Sequence, residues 1–201
     1  ATVFADVTVT MIALKPGLLA DEGRDACGAI VIAPLAEQTE RLVLDADPVA
    51  WRVELPDYID VVPAPTNVVD KYTRGSVLVV AGSSRYPGAA IMAARAAARA
   101  GAGYVTLAVP ACVAPVVQAH MVEIPVVPLP CDAAEGTFSD EAAEVAAKLA
   151  ERAGAVVVGP GMRVNAATVG VCSALLATHA PLVMDADALN CLARLTSNRL
   201  D

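Results

Sequence analysis

The chain of 201 residues is long enough for one good-sized domain or for a domain with an appendage. Apolar residues make up 56% and aromatics only 3%, so a substantial core must be built from Ala, Val, Leu and Ile, small enough for helices packed closely on a sheet. A formal net charge of -8 argues against a nucleic-acid partner; it leaves open a phosphorylated small molecule, because backbone N–H groups bind phosphate without net positive charge.

The first sixty or so residues read as short strand-like pieces separated by turns. Residues 4–10 alternate Phe4, Asp6, Thr8 and Thr10 against Ala5, Val7 and Val9, the period of two that predicts a strand. Lys15-Pro16-Gly17 reads as a turn, and residues 29–32 as another short apolar run. Residues 45–65 are rich in Pro and Asp and read as a linker or surface connection. From Ser76 the rhythm becomes strand, glycine loop, helix. Residues 77–81 (VLVVA) form an apolar run without alternation, as a strand buried in a parallel sheet requires. Residues 82–88 form a loop and 89–100 a helix with Arg95 and Arg99 on its solvent side. Gly101-Ala102-Gly103 ends that helix, because glycine takes the left-handed cap conformation readily. A strand at 104–109, a shorter helix near 113–120 and an extended Pro-rich segment follow.

Ser139 is a plausible N-cap for a helix over 140–153, with Glu141, Glu144, Lys148, Glu151 and Arg152 on one face and Val145 and Leu149 on the other. Residues 155–158 read as a buried strand, Gly159-Pro160-Gly161 as a tight loop and 166–178 as a helix. A strand at 181–184 leads into Asp185-Ala186-Asp187 and a helix starting at Ala188. Alternating strands and helices predict an α/β fold, a mostly parallel sheet with helices on both faces.

The cysteines are Cys27, Cys112, Cys131, Cys172 and Cys191. Their odd number, with no C-x-x-C spacing, argues against a disulfide framework or a zinc site and for reduced, mostly buried thiols in a cytoplasmic protein. The longest uncharged stretch, 164–184, contains Asn165, Thr168, Ser173, Thr178, His179 and Pro181. It fits a soluble helix and a buried strand better than a membrane span, so no membrane partner is expected. The start lacks both an initiator Met and a signal-peptide pattern and lies within a strand-like run, the expectation for a piece of a longer protein. His120 and His179 belong to no metal or triad pattern.

In a parallel α/β sheet, ligands bind at the carboxyl ends of strands. Three loops qualify here. Residues 82–89 join a strand to a helix, and Gly82 and Gly88 let the backbone approach an anion at the helix N-terminus. The loop is neither a P-loop nor a G-x-G-x-x-G, and a plain strand–helix connection would look the same. Gly159-Pro160-Gly161 gives a rigid turn with bare backbone. Asp185 and Asp187 could support Mg²⁺ directly or through water, or could hold backbone groups or cap the next helix; Asn190 could join them or face solvent.

Taken together and in order, these segments resemble the ADP- or ATP-dependent NAD(P)H-hydrate dehydratases of the ribokinase-like superfamily. Residues 75–83, Tyr86-Pro87-Gly88-Ala89-Ala90 and the stretch from Ala97 to Thr106 look like the family's first block. Residues 157–161 and 182–190 look like its next two, and Lys71-Tyr72 like its lysine-containing entry. Residues 5–10 and 15–19 resemble the closing strands of the epimerase domain that is fused ahead of the dehydratase in many bacterial proteins. The resemblance divides the chain into an epimerase-like tail (1–50), a linker (51–70) and the N-terminal part of a ribokinase-like dehydratase domain truncated at its C-terminus (71–201).

That resemblance implies cofactor repair. The S form of hydrated NADH or NADPH (NADHX, NADPHX) is phosphorylated at its hydroxyl by ADP or ATP with Mg²⁺, and phosphate is then eliminated. Phosphoryl transfer of this kind rests on positioning and an anion cradle. Ala89 and Gly161 fall at positions lining the hydrated nicotinamide, with Gly82, Gly88 and Gly159 shaping the loops beside it. The family is often tetrameric, which implies a homo-oligomer. No catalytic residue is assigned: the family's G-x-G-D aspartate has no counterpart up to Asp201, so this chain alone is expected to be inactive. Two other readings remain, a ribokinase-like kinase of hydroxyethylthiazole or pyridoxal type, whose product would keep its phosphate, and a non-catalytic nucleotide-binding fragment.

Overall fold

The computed structural model describes residues 2–47, 49–59 and 74–197. Lys71-Tyr72 and residues 60–70 of the expected linker lie outside the described residues. The chain divides into two compact units, Ala1–Ala64 and Pro65–Asp201.

The first unit pairs β1 (Val7–Met11) with β2 (Ala29–Ala33) in parallel. A 3₁₀ turn at Pro16–Leu18 and helix α1 (Asp21–Ala26) connect them. The predicted alternation is present, but its threonine side is the inward one. Thr10 is buried and Thr8 donates its hydroxyl to the Cys27 carbonyl at 2.7 Å, whereas Val7, Val9 and Met11 are exposed. Helices α2 (Thr39–Asp45) and α3 (Leu55–Ile59) follow. The second of these occupies part of the segment read as linker, because Asp57 accepts the Glu54 N–H at 2.7 Å and starts a helical turn there.

The second unit is built on five parallel strands, in the spatial order Val126–Leu129, Tyr104–Pro110, Ser76–Val80, Ala155–Val158 and Leu182–Met184. These are β3 (Ser76–Val80), β4 (Tyr104–Pro110), β5 (Val126–Leu129), β8 (Ala155–Val158) and β9 (Leu182–Met184). Helices α4 (Pro87–Arg99) and α5 (Ala114–Gln118) cover one face of the sheet, where Val79, Leu107 and Val109 meet Ala90, Ala94 and Val117. Helices α6 (Ala142–Ala150), α7 (Ala166–Leu176) and α8 (Asp187–Ser197) cover the other, where Leu78, Val80 and Val158 meet Ala146, Val171 and Ala188. β3 is therefore buried on both sides, the reason its sequence carries no alternation. Gly101 ends α4 at φ +108°, the left-handed conformation expected of it.

Two details of α6 differ from expectation. The fully buried stripe is Ala142, Ala146 and Ala150, while Val145 and Leu149 are half-buried. Alanine lets α6 and α7 approach closely, and the larger residues pack beside that line. Ser139 does not cap the helix through its hydroxyl, which donates instead to the Glu141 carboxylate and holds that carboxyl below its usual range. Helix α7 is apolar on all sides because it lies between α6 and α8, and Asn165 and Thr168 close a capping box at its start. A short antiparallel hairpin, β6 (Cys131–Asp132) with β7 (Thr137–Phe138), was not foreseen; two-residue strands leave no periodic pattern.

Leu107 is fully buried and Met92 is 68% exposed. Leu107→Ala is expected to cost about 2–5 kcal/mol through lost burial and a residual cavity, and Met92→Ala no more than about 0.5 kcal/mol. Chemical denaturation of each variant measures both.

Candidate functional site

The chain turns in opposite directions after β3 and β8. α4 leads from β3 across one face of the sheet to β4, and α7 leads from β8 across the other to β9. Such a reversal opens a crevice at the carboxyl ends of the two strands. The loops at that point are the two glycine loops singled out in the sequence. They stay hydrogen-bonded past the strand ends: Gly82 N–H donates to the Pro160 carbonyl at 2.8 Å and Gly159 N–H to the Val80 carbonyl at 3.1 Å. Asp185 N–H donates to the Val158 carbonyl at 3.1 Å, which brings the third loop alongside.

Glycine is needed where these loops touch. Gly159 has φ +124°, and a Cβ there would lie 1.9 Å from the Asp185 carbonyl oxygen and 2.7 Å from Ala188 Cβ. Gly161 has φ +69°, and its Cβ would meet Tyr86 Cβ at 2.7 Å and Ala89 Cβ at 2.9 Å. Ala89 and Tyr86 are thus packed directly against Gly161. Gly82 (φ +86°) backs onto Ala90, whereas Gly88 lies in the first turn of α4 with open space where a side chain would go. Bare backbone there leaves room for a ligand.

The electrostatics favour an anion at α4. That helix has 13 residues, Pro at its start and no acid in its first turn, and no side chain among the described residues caps its first-turn N–H groups. α7 is capped by Asn165, and α8 begins with Asp187. Within the first loop, Ser83 Oγ is buried and has no hydrogen-bond partner among the described residues.

Asp187 has a clear structural job: its carboxylate accepts the Arg163 N–H at 2.8 Å, tying the turn after Gly161 to α8. Both ends of this tie are unusual backbone, with Arg163 at φ +66° and Ala186 at φ +49°. Asp185 and Asn190 are exposed. Among the described residues no cluster of three or more His, Cys, Asp or Glu could enclose a metal ion. The donors fit Mg²⁺ in its usual nucleotide-bound form, which keeps waters and needs only one or two carboxylates beside phosphate oxygens. Three further contacts complete the edge and had no readable signal. Thr137 donates its hydroxyl to the Met162 carbonyl at 2.7 Å, the Arg163 guanidinium reaches the Glu135 carbonyl, and Ser84 N–H donates to the Gly136 carbonyl at 2.7 Å. Gly136, at φ +66° and seated on Ser84, is the one residue there whose type pointed to a turn.

The clefts lined by Arg95 and His120, by Ala150 and His179, and by Ser76 and Tyr104 do not involve these loops. Among the described residues, no helix is long and apolar enough to cross a membrane.

This arrangement is that of a ribokinase-like α/β domain. A ribokinase-like superfamily protein of Enterococcus faecalis superposes with a TM-score of 0.57 at 22% identity, over 67% of this chain and 45% of that one. An ADP/ATP-dependent NAD(P)H-hydrate dehydratase of Bacillus subtilis, co-crystallized with ATP and Mg²⁺, superposes with a TM-score of 0.52 at 26% identity, over 63% of this chain and 42% of that one. Residues 77–200 match the NAD(P)H-hydrate dehydratase family, and the chain belongs to it. Bifunctional NAD(P)H-hydrate repair enzymes of Salinibacter ruber and Coxiella burnetii are 36% and 35% identical to it over 94% and 98% of its length. The chain spans only 35% and 38% of those relatives.

The glycine geometry separates crowded from open positions. Gly159→Ala is expected to cost at least about 2 kcal/mol and Gly161→Ala about 1–3 kcal/mol, through backbone strain and displacement of Ala188, Tyr86 or Ala89. Gly88→Ala is expected to leave stability unchanged or raise it by up to about 1 kcal/mol, since it meets nothing and favours helix. Denaturant midpoints of the three variants rank them.

Proposed function

We propose that this chain works in nicotinamide-cofactor repair, as part of an enzyme that dehydrates the S form of NADH or NADPH hydrate at the expense of ADP or ATP. The observation that carries the reading is the carboxyl end of β3 and β8, where a helix N-terminus without a side-chain cap lies beside the touching glycine loops in a chain of the dehydratase family. In this reading the hydrate hydroxyl displaces the nucleotide from its terminal phosphorus, and the new phosphate ester then leaves with a ring proton to restore the double bond. The N–H groups of the α4 first turn hold negative charge, Ala89 and Gly161 form the walls for the nicotinamide ring, and Asp185 and Asp187 anchor Mg²⁺. The ion, when bound, neutralises charge on the transferring phosphate. The carboxylate of Asp187 also holds the Arg163 turn, so it sets the distance between that anchor and Gly161. Residues 1–201 contain no match to the family's base motif, so the proton acceptor is assigned to another segment of the whole protein.

We assign the first unit to the end of an epimerase-like domain preceding the repair site. Two observations support this: the bifunctional relatives align across it, and its parallel strand pair carries Val7, Val9 and Val31 at its surface, as a piece of a larger sheet would.

The test uses the full-length protein with S-form NADH or NADPH hydrate, Mg²⁺ and ADP or ATP, following the absorbance of reduced nicotinamide. The expected outcome is growth of that band only when nucleotide is present. A folded protein that yields no reduced nicotinamide with either nucleotide, and instead leaves phosphate on a small alcohol such as hydroxyethylthiazole, would establish the kinase reading in its place.

A further inference from the structure

Strands β4 and β5 run in parallel with Pro110 opposite Leu129, and Ala111 N–H donates to the Leu129 carbonyl at 2.8 Å. Past that point the chain turns, with Val113 N–H donating to the Pro110 carbonyl at 3.0 Å, while Cys131 opens β6, and the two cysteines are left side by side. The Cys112 backbone N–H donates to the Cys131 sulfur at 3.2 Å, which places that sulfur against the Cys112 residue. Partial burial, then the hydrogen bond and charge of Cys131, hold the Cys112 thiol above its usual range, so the two sulfurs sense each other directly. Cys112 is exposed and Cys131 half-buried, whereas Cys27, Cys172 and Cys191 are buried. Cys172 and Cys191 also interact, but each is fully covered by the core.

We propose that Cys112 and Cys131 form an accessible dithiol that exchanges with low-molecular-weight disulfides and closes reversibly into an intramolecular disulfide across the carboxyl ends of β4 and β5. In the first step one cysteine thiolate attacks the reagent disulfide, forming a mixed disulfide and releasing one reagent thiol. The second cysteine then attacks the protein sulfur of that bond and expels the other reagent thiol. The Cys112–Cys131 bond forms as the reagent's sulfur–sulfur bond breaks; the cysteines are oxidised, the reagent is reduced, and both protons end on the released thiols. The clasp would join the loop after β4 to the first residue of the β6–β7 hairpin. The carbonyl of Gly136 in that hairpin receives the Ser84 N–H, so the bond would bear on the first glycine loop. The inference rests on the two cysteines alone and is independent of the proposed repair activity.

The reduced full chain is incubated with oxidised glutathione, quenched in acid, unfolded, treated with iodoacetamide and cut after glutamate. Cleavage after Glu123 separates Cys112 from Cys131. Before alkylation the expected product has monomer mass less two hydrogens; after alkylation and cleavage the Cys112 and Cys131 peptides stay joined until a reductant is added, and the other three cysteines are alkylated. Cys112→Ser is expected to trap glutathione on Cys131 without closure. Three results would overturn the proposal: both cysteines recovered in alkylated form from the wild-type chain, glutathione persisting on either of them, or a disulfide found only between Cys172 and Cys191 or only in a covalent dimer.

Discussion

β3 has no face left for solvent. Leu78 and Val80 pack under α6–α8 on one side, and Val79 packs under α4 and α5 on the other. A strand enclosed in this way can meet a ligand only at its ends. At the carboxyl end, β3 and β8 send their helices to opposite faces, so the loops that leave them part over a crevice. The position of the site thus follows from burying the centre of the sheet on both sides. The cores themselves rest on small residues: Ala90, Ala94, Ala142, Ala146 and Ala150 are all fully covered and let the helices come close to the sheet and to one another.

The glycine loops at the carboxyl ends of β3 and β8 are bonded together. Backbone hydrogen bonds carry the β3–β8 and β8–β9 pairing into the loops, and Gly159 and Gly161 let those loops touch without side chains between them. Asp187 then locks the outer turn through the Arg163 N–H. Preorganisation of this kind suits phosphoryl transfer, where holding charged groups in place contributes more than covalent participation.

The comparisons with known proteins agree with this geometry at different levels. Likeness to the Enterococcus faecalis protein speaks to the fold, and the family match covers the strands, loops and helices that build the crevice. The bifunctional relatives extend the match to the first unit, whose strand pair exposes valines on a parallel sheet surface.

The second unit's strands and most of its helices were legible in the sequence, and so were the three loops. Apolar runs without alternation at 77–81 and 155–158, each followed by glycine, admit one reading: a strand buried on both faces that must turn sharply at its end. Gly101 and the 185–187 turn were legible for similarly local reasons. What the tertiary structure alone decided involves partners far apart in the chain. Thr8 faces inward, where Cys27, 19 residues on, supplies an acceptor for its hydroxyl, which no alternation pattern reports. Ala146 rather than Val145 lies innermost in α6 because α7 comes too close for a larger residue. Asp187 engages Arg163 and Cys112 lies against Cys131 only once strand order and register are set. Local sequence determines conformation over a few residues through periodicity, proline and glycine; which distant groups then share a hydrogen bond is decided by packing.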